Sequence, residues 1–203
     1  MKAESELAAL RADRGRFRTW LGRVVDEKTD ERAWRVGASG EATIGRELDG
    51  LQPLGWRVLH SVPVGEQDSD IDHVLIGPGG VFTVNSKHHP GARVWVVSRQ
   101  IRVNNQPVPY LRNSRHEATR AERLLSRAAG FRVPVTSVLI FRLGGGALTI
   151  REDTGDVLVY RATKAARRLR DRHGVLTDAH VEAVFAAARW RSTWQPGRGA
   201  GQS

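Results

Sequence analysis

Hydrophobic and polar positions along this 203-residue chain change their period several times, and each change predicts an element. Across residues 3–35, Leu7, Leu10, Phe17, Trp20, Leu21, Val24 and Val25 stand scattered among charges, the pattern of one or two amphipathic helices. Ser39 can cap a following helix from Glu41 to about Leu51, on which Glu41, Ile44, Leu48 and Leu51 form one stripe before Gly55 helps to end it. Trp56–Val62 reads as a strand and Val64–Ser69 as a polar loop. Ile71–Ile76 and Val81–Lys87 then form a hairpin about Gly77-Pro78-Gly79-Gly80, rich in β-branched residues with turn chemistry between them. A second hairpin, Ala92–Val97 with Ile101–Val103, is expected to extend the same sheet until Pro107 and Pro109 end it.

The period becomes helical from Tyr110 to Ala129. Leu111, Ser114, Ala118, Ala121, Leu125 and Ala128 fall on one side, and Arg112, Arg115, Arg120, Arg123 and Arg127 on the other. Val133–Arg142 is a nearly continuous apolar run, expected as a central strand, with shorter strands at Ala147–Ile150 and Val157–Tyr160. Helices are expected over Thr163–Arg172 and Asp178–Trp190, and a disordered tail over Gln195–Ser203. The order of elements predicts a mixed α/β sheet flanked by helices.

Candidate chemistry gathers on the first hairpin. A symmetric turn places Ile76 opposite Val81, hence Asp72 opposite Asn85 and Asp70 opposite Lys87. Alternation puts all four polar groups on one face, with opposed residues roughly 4.5–5.5 Å apart, a geometry that can hold a metal ion. Glu41 shares its stripe with apolar residues, so an inward carboxylate there needs a partner. The plainer alternative is a first-turn glutamate favoured by the helix dipole. Glu117, at the margin of the apolar face of 110–129, can reach the end of the sheet.

Composition narrows the class. At 40% hydrophobic and 27% charged, the chain can bury one core and carry extensions. The absence of cysteine excludes disulfides and thiolate metal sites. The opening MKAESELAALRADRG has no apolar core of a signal peptide, and no apolar run approaches the ~20 residues that span a bilayer, so a cytoplasmic protein without membrane contact is expected. The net charge of +10 is unevenly spread: residues 37–108 carry six basic and seven acidic groups, residues 109–203 seventeen and eight. That excess suits a polyanion, DNA first and RNA second, although a solvated arginine-rich surface explains charge alone nearly as well. The N-terminal helices would pack on the domain or on a second copy.

Gly37–Glu41 (GASGE), Ile71-Asp72-His73, Gly79-Gly80-Val81-Phe82 and Asn85-Ser86-Lys87 together resemble the nuclease-related domain (NERD) family of the PD-(D/E)XK superfamily, over roughly residues 37–126. The resemblance implies a restriction-endonuclease-like α/β fold and hydrolysis of phosphodiester bonds with magnesium or manganese. By position, Glu41, Asp72 and Asn85 would take the metal-binding places, and Lys87 would complete the acidic-x-lysine triplet. It also implies a division into an N-terminal helical extension (1–36), a nuclease-fold domain (37–175), and a C-terminal helix with its tail (176–203). Many relatives carry Asn-Pro-x-x-Gln after the sheet; Asn113, Ser114 and Glu117 occupy that spacing with two changes. Asn85 is the departure that matters, because an amide offers a metal only a neutral carbonyl oxygen, and Asp70 on the same face is a candidate to compensate.

Lys87 runs against the composition, since lysine occurs only at positions 2, 28, 87 and 164 among 32 basic residues. A compact ammonium can orient water or meet charge developing on a phosphate where a guanidinium fits differently; the alternative is a chance lysine paired with Asp70. His60, His73, His88, His89 and His116 suggest zinc, but His73 and His88 fall opposite Asp72 by strand parity, which favours magnesium. No GxSxG, Walker A or dinucleotide fingerprint is present. Three readings follow: a metal-dependent nuclease, a nucleic-acid-binding module without turnover, and a partner-docking domain.

Overall fold

A computed structural model describes residues 41–64 and 69–195. The expected N-terminal helices, the Ser39 cap and the end of the tail lie outside the described residues. Helix α1 occupies residues 41–49, and a 3-10 turn over Gln52–Leu54 follows it. Next come β1 (Arg57–Val64), β2 (Ser69–Gly77), β3 (Gly80–His88), β4 (Arg93–Val97), β5 (Gln100–Val103) and β6 (Gln106–Val108). Helix α2 (Tyr110–Ala129) leads to β7 (Val135–Arg142), β8 (Ala147–Ile150) and β9 (Val157–Arg161). The chain closes with α3 (Ala162–Arg170), α4 (Asp178–Ala188) and α5 (Arg191–Trp194). Among the described residues no helix is long and apolar enough to cross a membrane.

The principal sheet has the order β1-β2-β3-β7-β9, antiparallel through β3 and parallel from β3 to β9. Ile44, Leu48 and Leu51 pack with Trp56 and with Ala165 and Leu169 of α3 against Leu75, Phe82, Val84, Val138 and Ile140, which covers one face. Ala121, Leu124 and Leu125 of α2, with Val181 and Val184 of α4 and Trp194 of α5, cover the other against Val74, Ile76 and Val81. Because both faces are buried, the central strands read as apolar runs rather than alternations.

The second hairpin does not extend this sheet. Strands β6-β5-β4-β8 form a separate four-stranded sheet. Its β4 alternates exposed and buried positions, the signature of a sheet with one face in solvent, and Val94, Val96 and Ile101 pack inward on Leu111, Leu139 and Phe141. Pro107 does not end the run but lies inside β6, an edge strand where no ladder donor is required. On α2, Ala128 is exposed and Leu124 is buried. The last expected helix is interrupted after Ala188, and Arg191–Trp194 turns back to bury Trp194.

The turn of the first hairpin is glycine-rich for contact reasons. Gly80 has φ +119°, and a Cβ on Gly77 would lie 2.3 Å from Cδ2 of the buried Trp56. The Pro78 carbonyl accepts the N–H groups of Val175 and Leu176 at 2.9 and 3.2 Å, which fixes the tip. Gly77→Ala is expected to destabilise the fold by about 1–3 kcal/mol, since the Trp56 ring has no space to retreat. Urea denaturation measures this, and an unchanged midpoint would contradict the packing of Trp56 on the turn.

Candidate active site

The hairpin register is the symmetric one, from Gly77↔Gly80 through Ile76↔Val81 to His73↔Val84. Regular pairing stops there, so Asp72 and Asn85 do not continue the ladder as the expected opposed pair. Instead the Asp72 carboxylate accepts the Ser86 N–H at 2.6 Å and the Ser86 hydroxyl at 2.8 Å, both on Oδ2. The β1–β2 ladder also skips Asp72: His60 pairs with His73 and Val62 with Ile71, while Ser61 between them takes φ +49°. Asp72 thus sits where β2 is released from both neighbours, and its side chain replaces a strand partner for Ser86.

Three elements bring further groups to this point. Lys87, on β3, is 7% exposed and lies 5.3 Å from the Tyr110 ring centre, with its ammonium donating to Asn85 Oδ1. Asn85 in turn donates its amide N–H to Glu117 Oε2 at 3.0 Å. Glu117 comes from α2, and its Oε1 is enclosed without a hydrogen-bond partner. From α1, Glu41 accepts the Ser61 hydroxyl at 3.5 Å. Asn85 is therefore satisfied at both ends and bridges Lys87 to Glu117, with its carbonyl oxygen taken by the ammonium.

The electrostatics report too much negative charge in too little water. Burial, reinforced by the Asp72 and Asp70 charges, pushes the Glu41 carboxyl up to about 7, although Ser61 and Lys87 pull it down. Burial and then Asp72 push Glu117 up to about 8 against the pull of Lys87 and Asn85. Burial lowers the Lys87 ammonium, and Asp72, Glu117 and Glu41 resist that shift. Glu41 and Glu117 each feel Asp72 and Lys87, so the structure joins a Glu41 side of the cluster to an Asn85–Glu117 side through Asp72 and Lys87.

The remaining predicted residues fall outside this cluster or at its rim. Asp70 is exposed, opposite Pro63 on β1, and contributes its field to Glu41. Asn113 is half-buried in the first turn of α2, where its backbone N–H donates to Pro109, and Ser114 is buried. Arg112, Arg123 and Arg127 are exposed and Arg120 is half-buried, but Arg115 is bound to Asp156 by contacts of 2.7–3.0 Å. The expected basic face is thus interrupted at Arg115. His73 lies away from Asp72, bonded through Nδ1 to His60 Nδ1 at 2.8 Å, and His60 continues to Asp49 at 3.0 Å. The clamp of Ser86 on Asp72 and the seat of Lys87 on Tyr110 are contacts that no spacing in the chain announces.

A metal fits the donor set by chemistry. Among the described residues no three Asp, Glu or His side chains close on one point as a ready-made cage. Magnesium does not need one, because it keeps several waters and takes one or two carboxylates. Asp72, Glu41 and Glu117 are hard oxygen donors of the kind magnesium takes, and Glu117 Oε1 is buried without a hydrogen-bond partner.

A mixed sheet between helices, with a buried lysine among carboxylates beside its central hairpin, is consistent with a nuclease-like fold. The family model described as "Nuclease-related domain" matches residues 36–142, more than half of the chain, and the chain belongs to that family. The fold is consistent with the family's place in the PD-(D/E)XK superfamily. An uncharacterized protein of Bacillus anthracis is 39% identical over 61 residues, which are 29% of this chain and 28% of that protein. The match thus spans little more than a quarter of the relative's length. No solved structure matches the chain.

Proposed function

We propose that this chain is a metal-dependent nuclease that hydrolyses phosphodiester bonds in DNA. The observation that carries the reading is that the Asp72, Glu117 and Glu41 carboxylates all act on the buried Lys87, while burial and the Asp72 charge raise Glu41 to about 7 and Glu117 to about 8. Asp72, with Glu41 and Glu117 beside it, would hold magnesium or manganese. Such an ion, when bound, neutralises the scissile phosphate and makes water more acidic.

The chain's own groups supply the rest. Ser86 fixes the Asp72 carboxylate through two hydrogen bonds, so no side-chain ordering remains when a ligand arrives. Lys87, seated on Tyr110 and bonded to Asn85, presents a positive charge in a low-dielectric pocket, where it stabilises negative charge growing on a phosphate oxygen. Glu41, raised to about 7, would join Asp72 as an anionic ligand only once its proton is released near neutral pH. The exposed Arg112, Arg123 and Arg127 of α2, with Arg120, serve phosphates rather than bases, so binding depends steeply on salt and little on sequence.

A second reading rests on Asn85: with an amide in the acidic place, the fold keeps nucleic-acid binding and has lost turnover. Incubation of purified protein with plasmid and single-stranded DNA separates the two. The nuclease reading expects cleavage that needs Mg2+ or Mn2+ and disappears in Asp72→Asn. Salt-dependent binding with no cleavage under either metal would leave the binding module.

Metal affinity should also rise with pH. A cation needs deprotonated carboxylates, and Glu41 and Glu117 release their protons only as pH passes about 7 and about 8. Binding should therefore tighten across that window and release protons, with most of the upper step lost in Glu117→Gln. Calorimetry in buffers of different ionisation enthalpy reads both quantities, and an affinity indifferent to pH from 6 to 9 on the order of the window expected from raised carboxylates would separate these groups from the metal.

A further inference from the structure

The second sheet carries a feature that the catalytic reading does not use. Trp95 points outward from β4 and is 39% exposed, whereas Val94 and Val96 on either side are buried. Cross-strand register sets Trp95 beside Arg102 of β5 and Thr149 of β8, and Arg102 beside Pro107 of β6. Opposed residues share a face, so Pro107, Arg102, Trp95 and Thr149 form one row across the open side of the sheet. Arg93 stands exposed one pleat away, and the Arg151 guanidinium lies 4.9 Å from the Trp95 ring centre.

The charge on this row is available to a ligand. Arg102 donates to Gln100 at 2.9 Å and to Asn105 at 3.3 Å, both neutral acceptors that orient the guanidinium without cancelling it. Glu152, the acidic residue after Arg151, is engaged at the hairpin end, where it accepts the Ser98 N–H at 3.2 Å. The Arg151 guanidinium lies over the Trp95 ring, so a base that stacks on the ring takes the place of that guanidinium, which is then left to a phosphate beside Arg102 and Arg93. Single-stranded nucleic acid has that chemistry: every base has a stacking face, and its backbone is a line of negative charges. Seven residues stand between Lys87 and Trp95, so the two lie at most about 29 Å apart even along an extended chain.

We propose that the open face of β6-β5-β4-β8 is a docking platform for single-stranded nucleic acid, with a base stacked on Trp95 and phosphates held by Arg93, Arg102 and Arg151. This rests on the reading that the chain acts on nucleic acid, and it assigns to the second sheet the task of holding an unpaired strand. Duplex DNA, with its bases already stacked, gains nothing from Trp95.

Fluorescence anisotropy of the full chain with labelled oligothymidylate, oligouridylate and a duplex, all in EDTA, tests the platform without any need for cleavage. Trp95→Ala is expected to weaken single-strand binding about tenfold or more, Trp95→Phe much less, and neither to shift duplex affinity comparably. Arg102→Glu with Arg151→Glu, two surface changes that leave the inner face intact, should weaken single-strand binding and flatten its salt dependence by more than one unit of slope, at about 0.7 per lost phosphate contact. Equal loss for thymidylate and uridylate supports stacking without sugar discrimination, and unequal loss supports it with discrimination. Unchanged single-strand affinity in both Trp95→Ala and the double charge reversal overturns the proposal. So does a concentration-dependent dimer that Trp95→Ala abolishes, because the face would then belong to a second copy. Failure of cleavage in the earlier assay, with Trp95-dependent binding intact, would remove the nuclease reading and leave this one standing.

Discussion

Glu117→Gln is expected to abolish metal-dependent cleavage, and the double exchange Asn85→Asp with Glu117→Gln to restore it. By the resemblance, Asn85 stands in the acidic place of the acidic-x-lysine triplet and Glu117 in the glutamine place of the Asn-Pro-x-x-Gln element. In the fold these two positions touch, with Asn85 donating to Glu117 Oε2 at 3.0 Å. On that reading acid and amide change places across one hydrogen bond, and Glu117 on α2 would supply the carboxylate that β3 lacks. Replacing Glu117 by its amide leaves Asp72 and Glu41 as the nearby anions, with an expected loss of about 10²–10³-fold in rate and a marked weakening of magnesium binding. The double exchange returns a carboxylate to β3 and an amide to α2, keeping one donor and one acceptor in contact. Asn85→Asp alone behaves differently, because two carboxyl groups at hydrogen-bond distance share one proton and raise each other's pKa. Its metal optimum should move to higher pH rather than improve. Magnesium titrations and single-turnover cleavage on the four proteins form a closed cycle, and a Glu117→Gln protein that cuts like the parent would sink the exchange.

Lys87→Met is expected to lower cleavage by about 10²–10³-fold at saturating magnesium while leaving a folded protein. Methionine fills nearly the same volume and removes the ammonium that Asn85 holds and Tyr110 supports. The three carboxylates then lose a cation that pulls Glu41 and Glu117 down, so both should retain protons to still higher pH. Protons held by the folded state and not by the unfolded one make stability fall as pH rises. Lys87→Met should therefore be nearly as stable as the parent below neutrality and progressively less stable above pH 8, where its carboxyls are forced to ionise. Lys87→Arg should not rescue the rate, because a planar guanidinium cannot occupy a site shaped around a compact ammonium. Urea denaturation at two pH values, beside single-turnover kinetics, distinguishes these outcomes. Full activity in Lys87→Met would remove the lysine from the chemistry.

Local pattern alone determines a good deal of this protein. Tyr110–Ala129 is legible to its ends because its apolar positions recur at helical spacing and Gly130 closes it in the left-handed conformation. The register Ile76↔Val81 follows from a two-residue turn between equal strands. Glu41 on an apolar stripe, Asp72 and Lys87 on alternating strands, and Glu117 at the margin of a helix face all announce themselves by periods that the backbone imposes.

Tertiary structure decided the remainder, for reasons of distance and burial that no period records. The second hairpin reads as an extension of the first sheet because strand pairing is nonlocal; β4 instead pairs in parallel with β8, residues 147–150, far along the chain. Asp72 was expected to face Asn85, but release of β2 from both ladders turned its carboxylate to the Ser86 N–H and hydroxyl. Arg115 looks like its neighbours on a basic face until the fold sets Asp156 against it. The charge state of the cluster belongs wholly to this level: a carboxyl group in the sequence has its ordinary pKa, and only enclosure beside Asp72 raises Glu41 to about 7 and Glu117 to about 8.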